Sequence, residues 1–127
     1  MSIEQPTVID FLVHDRDKRR AALIVSDHLD WNKDEGRHLA LLQDKLNHYI
    51  WFIENGKVVE TMPDLAGLPV FIVVLGKYPL SDKARRYYAL AERRAIELGF
   101  SLEFELFGET STNPKGSSEG DVENGNR

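Results

Sequence analysis

The sequence predicts an α+β fold, with a mixed sheet of four or five strands and two helices packed on one face of that sheet. Short apolar runs with strand-like alternation and two longer segments with apolar residues at helical spacing support this prediction. The 127 residues are enough for one domain with a buried core. The predicted order along the chain is β-β-α-β-β-α-β, and the single apolar stripe of each helix places both helices on one side of the sheet.

An antiparallel hairpin is predicted at the start of the chain. Ile9, Phe11 and Val13 alternate with residues of the opposite face in the run 8–14, which is the period of a strand. A second apolar run, 21–26, follows a charged connection. Because sequential strands usually lie side by side, the two runs are expected to pair.

The first helix is predicted to begin after Asn32, an N-cap residue type that Glu35 follows three positions later. Its end is predicted at Asn55-Gly56, where a left-handed residue is tolerated. Trp51 lies opposite the apolar stripe and is a candidate for an exposed interaction surface. The stripe comprises Leu39, Leu42, Leu46, Tyr49, Ile50 and Ile53.

Two further strands and a second helix are predicted before the last strand. Residues 57–62 form a short predicted strand, and the run 68–75 is apolar on both faces, as in a central strand. Ser81 is the predicted N-cap of the second helix, which is expected to link parallel strands by a right-handed crossover. Residues 101–107 alternate in a way that indicates an edge strand with one wet face. The second apolar stripe consists of Ala84, Tyr88, Ala91, Ala95 and Leu98.

The predicted domain covers residues 1–107, and residues 108–127 are predicted to be a disordered acidic tail. The tail is rich in Gly, Ser and Asn and has no aromatic residue, so it cannot bury enough apolar surface to offset its ordering entropy. Its two basic and four acidic residues contribute −2 to the net charge of −5, which leaves −3 for the domain.

Composition narrows the classes of partner and cofactor. The chain contains no cysteine, which excludes disulfides, thiolate metal sites and a cysteine nucleophile. The acidic domain disfavours nucleic acid as a partner. No apolar run has the length of a membrane span or the flanks of a signal peptide. We therefore expect a cytoplasmic protein with no membrane partner and no cofactor.

The sheet face turned away from the helices is expected to be apolar and uncovered. Such a patch is typical of an interaction surface, and it makes a protein partner or a homodimer the expected binding mode. The residues on it are predicted to be Leu12, Leu23, Val25, Val70, Ile72 and Val74, or their one-residue alternates.

One cluster between the second strand and the first helix has side chains suited to metal binding or acid-base chemistry. It consists of Asp27, His28, Asp30, Trp31, Glu35 and His38. The spacing matches no established metal motif, and the cluster predicts no specific metal. The alternative interpretation assigns the aspartates to turn hydrogen bonds and Trp31 to packing beside the N-cap.

A weaker candidate is an anion site that involves Lys77 and Arg86 near the start of the second helix. Gly76-Lys77 lacks the upstream glycine of a P-loop, so the sequence does not indicate nucleotide binding. The alternative is a solvated basic helix face.

The residues Ser26 to Trp31, His38-Leu39, Leu42-Gln43, Lys45 to Asn47 and Tyr49 resemble a family of small uncharacterised bacterial proteins. The resemblance would cover about residues 7–107. It implies a bacterial origin and assigns no catalytic residue.

The leading hypothesis is a non-enzymatic protein-interaction domain of the size and acidity of bacterial immunity or adaptor proteins. The alternative is a metal-dependent or acid-base enzyme centred on the cluster from Asp27 to His38. The sequence assigns no catalytic residue to either.

Overall fold

A four-stranded mixed sheet carries the long helices on one face. The computed structural model describes residues 2–107, so the predicted tail lies outside the described residues. Strands are β1 (Phe11–Asp15), β2 (Arg20–Asp27), β3 (Val70–Gly76) and β4 (Ser101–Leu106). Helices are α1 (Glu35–Glu54), α2 (Lys57–Thr61) and α3 (Asp82–Glu97), and a 3-10 turn covers Pro63–Leu65.

The strand order in the sheet is β1-β2-β3-β4. β1 and β2 pair as an antiparallel hairpin, whereas β2, β3 and β4 are mutually parallel. α1 and α3 make the two crossovers between parallel strands, as such connections require. The predicted α+β class, the hairpin and the edge position of the last strand are therefore confirmed. None of the helices within residues 2–107 is long and apolar enough to cross a bilayer.

The core lies between one sheet face and the two long helices. Leu23, Val25, Ile72, Val74 and Leu102 on this face are buried. The helices cover them with Leu42, Leu46 and Tyr49 of α1 and with Ala84, Tyr88 and Ala95 of α3. Because side chains alternate along a strand, the neighbours of these residues in β2, β3 and β4 point to the opposite side of the sheet. We call that side the open face; its central residues are Ala22, Ile24, Phe71, Val73 and Leu75.

The predicted strand at 57–62 is wrong. Gly56, which follows the C-cap residue of α1, has a φ of +71°. It is the N-cap of α2, the single-turn helix that the next five residues form. Val58 packs into the core with 4% exposure, while Val59 is exposed. Val58 and Val59 thus belong to a helical turn with one buried side. The two edges of the sheet are formed by β1 and β4.

The predicted N-cap of the first helix is also wrong. The helix begins at Glu35, and the Asp34 carboxylate accepts a hydrogen bond from the Arg37 backbone N–H. The backbone of Asn32 instead donates to the Asp30 carboxylate, so the turn is formed earlier than predicted. The N-cap at Ser81 is confirmed, since its hydroxyl accepts from the Ala84 N–H.

Candidate functional site

A buried histidine and aspartate form the polar centre at the carboxyl end of β2. His38 Nε2 lies 2.7 Å and 2.8 Å from the two carboxylate oxygens of Asp27. Both side chains are 2% exposed. The ring of Trp31 stacks on the imidazole with 3.4 Å between centroids and 16° between planes.

Local sequence explains how these three side chains meet. Asp27 is the last residue of β2, and its carboxylate also accepts the backbone N–H of Leu29, which starts the connecting turn. His38 lies in the first turn of α1 and faces the core. The turn between them folds Trp31 over the imidazole, where it is 3% exposed.

The pair holds the imidazole in one orientation. With an ionised carboxylate as acceptor, Nε2 carries the proton and its N–H donates a hydrogen bond to Asp27. His38 Nδ1 is then left buried, with no hydrogen-bond partner among the described residues. A base with this geometry could take a proton only from a molecule that reached Nδ1, because the carboxylate occupies Nε2.

The other members of the predicted cluster are placed apart from this pair. The imidazole of His28 is half exposed and lies 3.5 Å from Glu4 at the surface. Asp30 accepts the Asn32 N–H and shapes the turn, and Glu35 opens α1. Within residues 2–107, no group of three or more His, Asp or Glu side chains could hold a metal ion.

Lys77 and Arg86, the candidate anion ligands, are both exposed. Lys77 follows β3, and its ammonium lies 5.7 Å from the ring centroid of Tyr78. Its backbone N–H donates to the Asp27 carbonyl. Neither side chain takes part in an ion pair or a side-chain hydrogen bond in the described part of the chain.

Sequence reasoning missed a fully buried lysine. Lys45 of α1 is 0% exposed, and its ammonium is surrounded by four oxygens. These are the backbone carbonyls of Ser2 at 2.8 Å, Gln5 at 2.7 Å and Val8 at 2.6 Å, and the carboxylate of Asp10 at 2.8 Å. The network ties the N-terminal segment 2–10 to α1.

Asp10 and Tyr49 complete this network. The second carboxylate oxygen of Asp10 accepts the Ser26 N–H at 2.9 Å. The Tyr49 hydroxyl donates to the Ile24 carbonyl at 2.6 Å and accepts the Asp10 N–H at 2.8 Å. Burial raises the pKa of Tyr49 well above its usual value. The sequence did contain a signal, because Lys45 falls between Leu42 and Tyr49 within the apolar stripe.

A second missed residue, Arg20, covers part of the open face. Its guanidinium is bonded to Asp15 and Glu103, each at 3.0 Å, and lies 4.5 Å from the ring centroid of Phe71. Burial disfavours the charge of Arg20, but the hydrogen bonds to Glu103 and Asp15 outweigh this and raise its pKa. Arg20, itself on β2, thus contacts β1, β3 and β4 and covers Phe71 on the open face.

Two grooves remain on the open face. The first, about 490 Å³, runs between the β1–β2 hairpin and Glu105, over Ile24, Val73 and Leu75. The second, about 430 Å³, lies at the carboxyl ends of the parallel strands. Its lining includes Phe11, Asp27, His28, Leu75, Lys77 and Phe107. Leu75 belongs to both, so the two grooves adjoin.

Fold and site together define a small α+β domain with a buried polar network beside its apolar core and one sheet face that no helix of residues 2–107 covers. Residues 1–108 match the model of DUF6572, a family of unknown function, and the chain belongs to that family. This match confirms the resemblance to an uncharacterised family. No curated protein and no solved structure gives a significant match.

Proposed function

We propose that this chain is a non-enzymatic protein-interaction domain, immunity- or adaptor-like, and that the open face is its binding surface. The observation that carries the proposal is the exposure of large apolar side chains around the two grooves. Phe11 is 49% exposed, Val13 39% and Phe107 67%. Contiguous apolar surface of this kind is typical of protein interfaces, where aromatic residues are enriched.

Charge placement favours a second copy of the same chain as the occupant. The turn of the hairpin, residues 16–19, lies at one corner of the open face and carries Arg16, Lys18 and Arg19 against the single acid Asp17. Asp15, the next acid, is paired with Arg20. Glu105 lies at the opposite corner, on β4, and takes part in no ion pair among the described residues. The surface is therefore self-complementary, as a two-fold interface requires.

The two corners define the arrangement of the dimer. A two-fold axis along the other diagonal of the open face would set each basic hairpin against Glu105 of the second copy. The strands of the two sheets would then cross at about 90°, which is the orthogonal class of sheet packing. Phe11 lies near this diagonal, so it would contact Phe11 of the second copy.

Light scattering coupled to size exclusion tests this proposal. We expect a dimer for the full chain and a monomer for Phe11→Ser. Lys18→Glu and Glu105→Lys are each expected to weaken the dimer, and their combination is expected to restore it because the attractive pair is re-formed with opposite sign.

Trp51→Ser is the matched control, since Trp51 is 48% exposed on the helical side. It is expected to leave the dimer unchanged. A full chain that stays monomeric at high concentration would contradict self-association. A dimer that Trp51→Ser breaks and Phe11→Ser preserves would place the interface on the helices instead.

The second candidate function is an acid-base enzyme centred on Asp27, His28, Asp30, Glu35 and His38. The observation that favours it is the Asp27–His38 pair beside a groove at the carboxyl ends of parallel strands, where α/β sheets bind ligands. Only Asp27 and His38 of the cluster come together, which is too few protein ligands for a typical metal site and favours the acid-base form.

Nitrogen NMR of the imidazole tests this candidate. A general base must take up a proton at Nδ1, because Nε2 is held by the Asp27 carboxylate, so Nδ1 must be unprotonated in the resting protein. An imidazole whose Nδ1 carries the proton throughout pH 5–8 would exclude His38 as a base and leave it a structural role.

A further inference from the structure

A groove between α1 and α3 lies on the helical side of the molecule, away from the open face. Its volume is about 190 Å³. Ile72 and Leu102 of the sheet form its floor, and these two residues are 1% and 5% exposed. Ile50 of α1 and Ala91 of α3 form opposite walls.

The polar groups at this groove are neutral or positive. Gln43, Asn47, Tyr87 and Arg94 line it, and no carboxylate does. Arg94 takes part in none of the ion pairs within residues 2–107. Burial, followed by the nearby charge of Asp44, raises the pKa of Tyr87, so its hydroxyl stays protonated at neutral pH. Tyr87 and Arg94 are then both hydrogen-bond donors.

We propose that this groove binds a small amphipathic monocarboxylate, with its hydrocarbon part on the floor and its carboxylate at Arg94. The lining fits this chemistry because apolar walls with a few convergent donors are typical of ligand sites. An arginine that forms no ion pair favours a carboxylate over a neutral or cationic head group. The volume suits a ligand of about ten non-hydrogen atoms, below the usual range for drug-sized molecules.

Octanoate is the probe for this proposal, and octanamide is its uncharged isostere. Titration of the full chain by calorimetry is expected to give a Kd on the order of 100 µM for octanoate, the affinity that a ligand of this size can reach. Amide NMR is expected to show the largest shifts at the groove walls, including Ala91. Octanamide is expected to bind about fivefold more weakly, since it lacks the charge.

Three variants separate the groove from other sites. Arg94→Gln is expected to weaken octanoate about fivefold and to leave octanamide unchanged, because the side chain is exposed and its loss removes only the charge. Arg93→Gln, one residue away and outside the groove, is the control and is expected to change neither. Ala91→Leu is expected to abolish binding of both probes by filling the groove.

Several outcomes would overturn the proposal. These are an absence of octanoate binding up to about 10 mM, equal affinities for octanoate and octanamide, or equal effects of the two arginine variants. Amide shifts confined to the open face would also overturn it, since they would place the ligand elsewhere. Because the groove and the open face are on opposite sides of the sheet, failure here leaves the dimer proposal unaffected.

Discussion

At the scale of single residues, the Asp27–His38 pair gives the sharpest stability prediction. Asp27→Ala removes the acceptor of a buried imidazole and leaves a polar group without compensation. Leaving a buried donor without its acceptor costs about 1–3 kcal/mol, and we expect a loss of this size in the free energy of unfolding by urea. Glu35→Ala, a few residues away at the start of α1, is the control and is expected to change stability by less than about 1 kcal/mol.

The double variant decides whether the cost comes from the pair itself. If His38→Phe in the Asp27→Ala background restores part of the lost stability, the unpaired imidazole is the source of the loss. Additive losses, with no recovery, would instead assign the cost to the empty space under Trp31.

The sequence could be used to predict that Asp27, Trp31 and His38 belong together, but not how they are arranged. Their positions between β2 and α1 indicate proximity, whereas burial of His38 depends on the exact start of α1. With the N-cap at Asp34 rather than Asn32, His38 faces the core beside Asp27. His28 and Asp30 differ only in that the turn directs them outward, and residue types alone contain no such information.

At the scale of elements, the N-terminal segment is attached through Lys45. Lys45→Met keeps the apolar stem but removes the donors for three backbone carbonyls and Asp10. Leaving buried acceptors and a carboxylate unpaired is strongly destabilising. We expect the amide of Ile3, which donates to the Ser26 carbonyl at 3.0 Å, to lose its protection from hydrogen exchange.

Lys57→Met is the control for this prediction, because Lys57 forms only a surface ion pair with Glu60. It is expected to leave exchange at Ile3 unchanged. Retained protection of Ile3 in Lys45→Met would show that apolar packing, rather than the ammonium, holds the segment. Such a result would also remove Lys45 as the reason for the burial of Asp10.

Elements with a regular period were predictable, and those fixed by a neighbour were not. The alternation in β4 and the stripe of α3 gave their positions within a residue or two. The five residues of α2 are too few to show a helical period, and the β-branched Val58 and Val59 favour a strand in the sequence. In the structure the left-handed Gly56 precedes them as the N-cap of a single helical turn. The sequence likewise indicates only a charged loop residue at Arg20, because its partner Glu103 is 83 residues away along the chain.

At the scale of the whole molecule, tyrosines with raised pKa values are expected to lower the free energy of unfolding at alkaline pH. Burial raises the pKa of Tyr49, Tyr87 and Tyr88, whereas a tyrosine in the unfolded chain has a pKa of about 10. A raised pKa in the folded state stabilises the fold fully below the unfolded value and loses effect as pH rises toward the folded value. Stability is therefore expected to be unaffected by these groups below about pH 9 and to fall above about pH 10.

The slope of that fall can be measured and assigned. Above about pH 10, each tyrosine that stays protonated only in the folded state lowers the free energy of unfolding by up to about 1.4 kcal/mol per pH unit. Tyr88→Phe isolates one of them, because the Tyr88 hydroxyl is buried without a hydrogen-bond partner in the described residues. Urea unfolding at several values of pH should show a shallower alkaline slope for Tyr88→Phe and equal or higher stability at pH 7, since an unpaired buried hydroxyl is removed. An unchanged slope would mean that the Tyr88 hydroxyl reaches solvent in the folded protein and that the core around α3 is open enough to hydrate it.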